Sequence, residues 1–235
     1  MKKTIVILAA LAAGSLAQAA ETVSAGSYAV TLDFPYTSKY VFRGLEVGKS
    51  AVQPSVEAKM DDFYAGVWAN SPLTKPYDHG RSREVDFYAG YNQKLSDLLK
   101  VDVGGTYYYY PRAKKPYQRD FTYEGTLGLN LTFHDFSASV YEYFDFRLHD
   151  WTTQVSVGYS LALKDLGTSL DFSVAAGRVN PHVGQNYSYL TGGVTVPYKL
   201  SDTLKVYAGV SYSCNTLKST YDPKLYATGG FSAAF

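Results

Sequence analysis

Sulfur is almost absent from this chain. Its 235 residues include one cysteine, Cys214, and two methionines. One cysteine cannot form an internal disulfide and offers no Cys/His zinc spacing, so neither staples nor a structural metal hold the fold, and no cofactor motif is present. Charge is also sparse: 18% of residues are Asp, Glu, Lys or Arg, and the net charge is +1. Lys2 and Lys3 account for more than that excess, which leaves the rest close to neutral and gives no basic stripe for a nucleic-acid partner. After the first twenty residues no apolar run approaches the ~20 residues a spanning helix needs. Disulfide scaffolds, zinc modules, nucleic-acid binders and helical membrane proteins are all excluded.

What is present is apolar and aromatic surface without long runs. Hydrophobic residues make up 46% of the chain and include 23 tyrosines, so that surface must be dispersed along short segments. Both ends carry expectations. Met1-Lys2-Lys3 is a positive n-region, Thr4 to Gly14 an apolar h-region, and Ala17-Gln18-Ala19 a small-x-small cleavage site. This predicts a secretory signal peptide over residues 1–20, removed, and a mature domain over 21–235. At the other end, Leu225, Ala227, Phe231, Ala233 and Phe235 share one parity, and Tyr226, Thr228 and Ser232 the other. That is a strand with one apolar face ending in a terminal aromatic, the form of an assembly signal for outer-membrane barrels, and Phe235 is assigned that role.

Period-two alternation recurs along the chain and predicts about twelve strands: Tyr28–Arg43, Ala51–Met60, Phe63–Asn70, Arg83–Asn92, Leu99–Tyr110, Phe121–Phe133, Phe136–Phe146, Trp151–Leu163, Ser169–Gly177, Tyr187–Leu200, Leu204–Ser213 and Leu225–Phe235. Short turns such as Asp61-Asp62 and His134-Asp135 alternate with longer links such as Gly44–Ser50 and Ser71–Ser82. The fold class is therefore all-β: an up-and-down antiparallel transmembrane barrel with short turns facing the periplasm. Lys94-Leu95-Ser96-Asp97 and Lys199-Leu200-Ser201-Asp202 form a weak internal repeat, read as shared turn chemistry rather than duplication.

Parity separates an outward face from a lumen. Val85, Phe87, Val101, Val103, Leu127, Leu129, Val155, Val157, Val206 and Val210 lie on the apolar parity. The opposite parity holds Gly, Ser, Thr and the charges Glu57, Lys59, Glu84, Asp86, Asp102, Glu124 and Asp171. Arg43 with Glu57, Lys59, Glu84, Asp86, Asp102 and Glu124 is expected to form one inward ion-pair network, either a mildly cation-favouring constriction or structural filling of a narrow barrel. Tyr64, Trp68, Tyr88, Tyr108 and Tyr110 are the inward aromatics, a stacking path for solute rings or, more simply, lumen filling. Glu142 breaks the pattern by sharing parity with Phe136, Ala138 and Val140, which predicts an interfacial position or a strand bulge.

The N-terminal half resembles a family. Ser38-Lys39-Tyr40-Val41-Phe42-Arg43-Gly44, Phe63-Tyr64-Ala65-Gly66-Val67-Trp68-Ala69-Asn70, Glu84-Val85-Asp86-Phe87-Tyr88-Ala89-Gly90-Tyr91 and Asp102-Val103-Gly104-Gly105-Thr106-Tyr107-Tyr108-Tyr109-Tyr110-Pro111 resemble, in order and spacing, motifs of the TorF-like porins of proteobacteria. The stretch Leu45–Ser50 departs from the polar run usual there. The resemblance implies an outer-membrane location in a Gram-negative bacterium and a pore role, with no assigned substrate and no catalytic residues. The partners expected are outer-membrane lipid, the barrel-assembly machinery and small polar solutes. Two alternatives are a closed structural or surface-interaction barrel and an outer-membrane hydrolase. The latter would draw on His79, His149 or His182 in external links, with Asp78 and Asp150 adjacent; His134 sits in a short turn.

Overall fold

The computed structural model describes residues 28–74, 83–113, 120–217 and 222–235. The expected signal peptide, His79 and parts of three long links lie outside them. Fifteen strand segments follow in order: β1 Tyr28–Thr37, β2 Tyr40–Phe42, β3 Leu45–Gly48, β4 Ala51–Val52, β5 Ser55–Met60, β6 Phe63–Pro72, β7 Glu84–Lys94, β8 Leu99–Tyr109, β9 Phe121–Phe133, β10 Phe136–Asp145, β11 Asp150–Leu163, β12 Thr168–Asn180, β13 Tyr187–Lys199, β14 Leu204–Asn215 and β15 Lys224–Ala234. Thirteen of them form one antiparallel sheet in sequence order. β4 and β5 both lie between β1 and β6 and act as one strand interrupted at Gln53-Pro54, since proline cannot donate to a ladder. The wall is therefore a twelve-stranded barrel.

β15 pairs back onto β1 from Thr31↔Ala234 to Thr37↔Thr228. Val30 and Phe235 exchange two further backbone bonds at 3.0 and 2.9 Å. No sheet edge is left along that seam, so the backbone donors and acceptors of both strands are satisfied. Among the described residues no helix is long and apolar enough to cross a membrane, a statement silent on barrels.

The burial pattern follows the parity. Phe87, Val103, Leu127, Val155, Val157, Val210 and Phe235 are exposed on the outside, while Tyr64, Trp68, Tyr189, Tyr207 and Tyr226 are buried inside. Aromatic pairs band the outer surface at both ends. Phe63–Tyr91 and Phe136–Tyr159 lie at the short-turn end, and Tyr107–Phe121, Tyr123–Phe146 and Phe144–Trp151 at the long-loop end.

One expectation needs correction, and one alternative is decided. The first strand does not run to Arg43: β1 ends at Thr37, and residues 38–50 leave the wall and fold inward as the β2–β3 hairpin. The Thr37 hydroxyl bonds the Lys39 carbonyl and redirects the chain, while Ser38 bonds Ala227 of β15 through both its backbone and its hydroxyl. The seventh wall strand, β10, contains no bulge. Its register with β9 and β11 is unbroken from Phe136 to Asp145, so Glu142 does face outward. There it accepts hydrogen bonds from the Trp151 indole and the Thr153 hydroxyl, close to the long-loop end. A carboxylate at such a rim costs far less than one at mid-depth.

The repeated Lys-Leu-Ser-Asp stretches close two short turns in the same way. Ser96 and Ser201 hydroxyls accept backbone N–H groups of Leu99 and Leu204, and Lys94–Asp97 and Lys199–Asp202 are each paired at 2.8 Å.

Candidate functional site

The inward hairpin organises the lumen. Its tip is the two-residue turn Arg43-Gly44, with φ of +47° and +80° and Phe42 paired to Leu45. Positive φ at both central positions is the geometry that matches strand twist in a two-residue hairpin. Glycine adopts it freely. An arginine there costs of order 1–3 kcal/mol and persists because its surroundings hold it.

Each hairpin side chain finds a different part of the wall. Tyr40 packs against Trp68 of β6, with ring centroids 5.6 Å apart, and donates to Glu84 of β7 at 2.8 Å. Phe42 meets Tyr108 of β8 edge-on. Arg43 forms a bidentate pair with Glu124 of β9, both N–O distances being 2.8 Å. Its guanidinium also lies 4.7 Å from the ring centroids of Phe42 and of Tyr143 on β10. The Tyr108 hydroxyl donates to the same Glu124 carboxylate at 3.1 Å. Gly44 sits so close to the opposite wall that a Cβ would fall 2.5 Å from the Cβ of Tyr189, and its carbonyl accepts from Asn215 at 2.7 Å. Leu45 packs on the cluster of Val179, Tyr187 and Tyr189. Glu46 lies 3.9 Å from Lys39 and from Lys224. A hairpin rooted between β1 and β4 thus reaches β14 and β15 and bridges the lumen.

Below it, toward the short turns, lies a layer of tyrosine–carboxylate pairs. Asp102, 1% exposed, accepts from Tyr64 and Tyr141, each at 3.0 Å, and Tyr141 also bonds Asn130. Glu57 accepts from Tyr88 at 3.2 Å and lies 3.6 Å from Lys59. Tyr207 donates to Asp33, and Ser160 and Ser169 donate to Asp171. The rings lie on inward glycines of neighbouring strands: Tyr64 on Gly90, Tyr88 on Gly66, Tyr141 on Gly128 and Tyr189 on Gly177, each so close that a Cβ on the glycine would fall within 2.4 Å of the ring.

The structure places Glu57, Lys59, Glu84, Asp86, Asp102 and Glu124 on inward-facing register positions, as the parity predicts. They do not form the single ion-pair network expected of them. Their described contacts are Arg43–Glu124–Tyr108, Tyr40–Glu84, Glu57–Lys59–Tyr88 and Tyr64–Asp102–Tyr141, each with a phenol hydroxyl on the carboxylate. Tyrosine supplies these carboxylates with donors that carry no charge. Asp86 stands between Trp68 and Tyr108 in register, is 8% exposed, and its Oδ1 receives no hydrogen bond among the described residues.

Of the inward aromatics, Tyr64, Trp68, Tyr88 and Tyr108 line the interior, and Tyr110 follows the end of β8, half-buried. Rings laid on glycines and tied to carboxylates make a filled wall rather than a continuous stacking path. The residues that parity alone misses are Tyr40, Phe42, Gly44, Tyr141, Tyr143, Asp145, Tyr189 and Asn215. A usable signal for the hairpin was the Arg43-Gly44 step between two short alternating runs, which is hairpin-turn spacing.

Among the described residues the histidines form no hydrolytic arrangement. His149 and His182 pack edge-to-face at 5.8 Å, and Asp150 accepts the backbone N–H of His182 rather than its ring. Among the described residues no group of three His, Cys, Asp or Glu side chains is placed to hold a metal ion.

Closed antiparallel strands, an outward apolar belt and an inward-folded first long link define the fold as that of a porin-like outer-membrane barrel. The chain belongs to the family Gcw_chp, described as a bacterial protein of unknown function, whose model matches residues 20–188. In structure it is similar to the KdgM porin, with a TM-score of 0.59 at 12% identity, covering 87% of this chain and 99% of that one. The KdgM porin in complex with disordered oligogalacturonate gives 0.60 at 11% identity with the same coverage. The NanC porin gives 0.57 at 10% identity, covering 87% of this chain and 98% of that one. No curated protein matches the chain in sequence.

Proposed function

We propose that this protein is an outer-membrane channel for passive diffusion of small polar solutes, narrowed by the β2–β3 hairpin. In this reading the outward apolar belt meets lipid, the short turns face the periplasm, and Phe235, on that same side, is the residue recognised by the assembly machinery. The resemblance to TorF-like porins points the same way. The observation that carries the reading is the hairpin: a long link drawn inside the barrel and braced by polar side chains builds a constriction, whereas a purely structural barrel has no need to bring a charged tip into its lumen.

The lumen's charge bears on the solute. Strands β5 to β10 turn Glu57, Glu84, Asp86, Asp102, Glu124 and Asp145 inward, with Lys59 on the same face and Arg43 reaching in from the hairpin. One solved relative in fold is recorded with an oligogalacturonate, a polyanion. An acidic lumen repels such a ligand, so the solutes assigned here are neutral, zwitterionic or cationic. The tight filling of the interior, with Val41 of the hairpin only 2% exposed, favours a second reading, a barrel without conduction.

Planar-bilayer recording separates the two. Refolded protein is expected to give discrete conductance steps, and a variant with residues 38–50 replaced by a short Gly-Ser link is expected to give larger ones. Silent bilayers from both proteins would leave the closed-barrel reading standing.

A further inference from the structure

Arg43 occupies a cage built by three wall strands, with Phe42 of its own hairpin as the remaining ring. Glu124 offers both carboxylate oxygens at 2.8 Å, the Tyr143 ring lies 4.7 Å from the guanidinium carbon, and the Tyr108 hydroxyl holds Glu124 from behind at 3.1 Å. These three residues stand on consecutive wall strands, β9, β10 and β8. The planar, two-pronged carboxylate contact together with an aromatic face is the geometry that distinguishes a guanidinium from a simple ammonium. The occupant arrives on a strained turn, with arginine at φ +47°. Asp86 is buried nearby, with its Oδ1 unbonded among the described residues.

We propose that Glu124, Tyr108 and Tyr143 form a binding site for small solutes bearing a guanidinium group, and that Arg43 is its built-in competitor. The role of such solutes as passengers rests on the channel reading; their binding does not. A solute guanidinium reproduces both hydrogen bonds and the ring contact, and it displaces the hairpin tip. Arg43 is tethered at high effective concentration, so it weakens the apparent affinity for any free competitor, and its removal exposes the site.

The test uses the full chain refolded in detergent, with methylguanidinium as the probe and N-methylurea as its uncharged shape match. Binding is read by ligand-observed NMR. Arg43→Ala is expected to bind methylguanidinium at least about tenfold more tightly than the unaltered protein and to ignore N-methylurea. Adding Glu124→Gln to Arg43→Ala is expected to weaken binding by a similar factor. Arg43→Gln serves as a second variant that keeps more of the side-chain volume, and heat-modifiable gel mobility confirms that each barrel is folded. Equal affinity in Arg43→Ala with and without Glu124→Gln, or equal binding of the urea, would overturn the site. Binding is measured without a membrane, so a silent bilayer alongside methylguanidinium binding removes only the channel. Conduction without binding removes only the site.

Discussion

Gly128 has no side chain because Tyr141 already occupies the space. A Cβ there would fall 2.2 Å from the ring, and the ring cannot swing away cheaply because its hydroxyl bonds Asp102 and Asn130. Gly128→Ala should therefore cost about 1–3 kcal/mol by leaving the buried Asp102 short of a donor. Gly192→Ala, whose Cβ would meet only ordinary contacts at 3.6 and 3.7 Å, should be nearly neutral. Urea unfolding in lipid vesicles, followed by tryptophan fluorescence, checks the difference; equal midpoints would mean that the ring moves without losing its bonds. At this scale the sequence is legible only by halves. Parity places Gly128, Gly90 and Gly66 on the lumen side, but it cannot reveal that each lies under a tyrosine from a neighbouring strand, because that contact depends on the stagger between strands.

Turns are the elements most readable from sequence. Lys94-Leu95-Ser96-Asp97 and Lys199-Leu200-Ser201-Asp202 repeat because Ser and Asp chemistry is local, and local chemistry survives any tertiary context. In each turn the lysine beside the carboxylate, Lys94 for Asp97 and Lys199 for Asp202, holds it below its ordinary value through a hydrogen bond and charge attraction. The sign follows: a depressed carboxylate pKa contributes stability above the unfolded value near ~3.9, and that contribution fades as pH falls through the folded value. Both groups are fully exposed, so the effect on folding is small. An NMR titration of the Asp97 carboxyl should show a midpoint below ~3.9 that returns toward the ordinary range in Lys94→Met. No change on substitution would remove the lysine as the cause. The β2–β3 hairpin was far less legible. Its alternation reads as a continuation of β1, and only Ser38, which fixes the hairpin's base to β15, and the Arg43-Gly44 turn separate it from the wall. Glu142 was legible but ambiguous, because sequence shows its parity and not the Trp151 and Thr153 donors that make an outward carboxylate tolerable.

The whole molecule expresses an imbalance. Its outer face is apolar, and its lumen holds carboxylates, several of which accept from uncharged phenols. If ions pass, the lumen's field should favour cations. Replacing Glu84, Asp86 and Glu124 together by their amides is expected to lower the potassium-over-chloride permeability ratio, read from reversal potentials under a salt gradient. An unchanged ratio would place selectivity elsewhere. Strand number, closure and the lumen parity of the acidic residues were all readable from sequence, since they depend on period-two patterning and on the alternation of short and long links. The partnering of those acids was not, since Arg43 meets Glu124 across 81 positions of chain.

That separation also orders the assembly of the molecule. Arg43 needs β9, and Gly44 needs Asn215, 171 residues further on. The hairpin directly follows β1 in the chain, yet its seat does not exist until β14 stands in the barrel. Contacts of such long range carry the largest loop-closure cost and reward the chain last. The element that narrows the lumen is therefore among the final parts to dock, and its docking registers that the far side of the barrel has already been built.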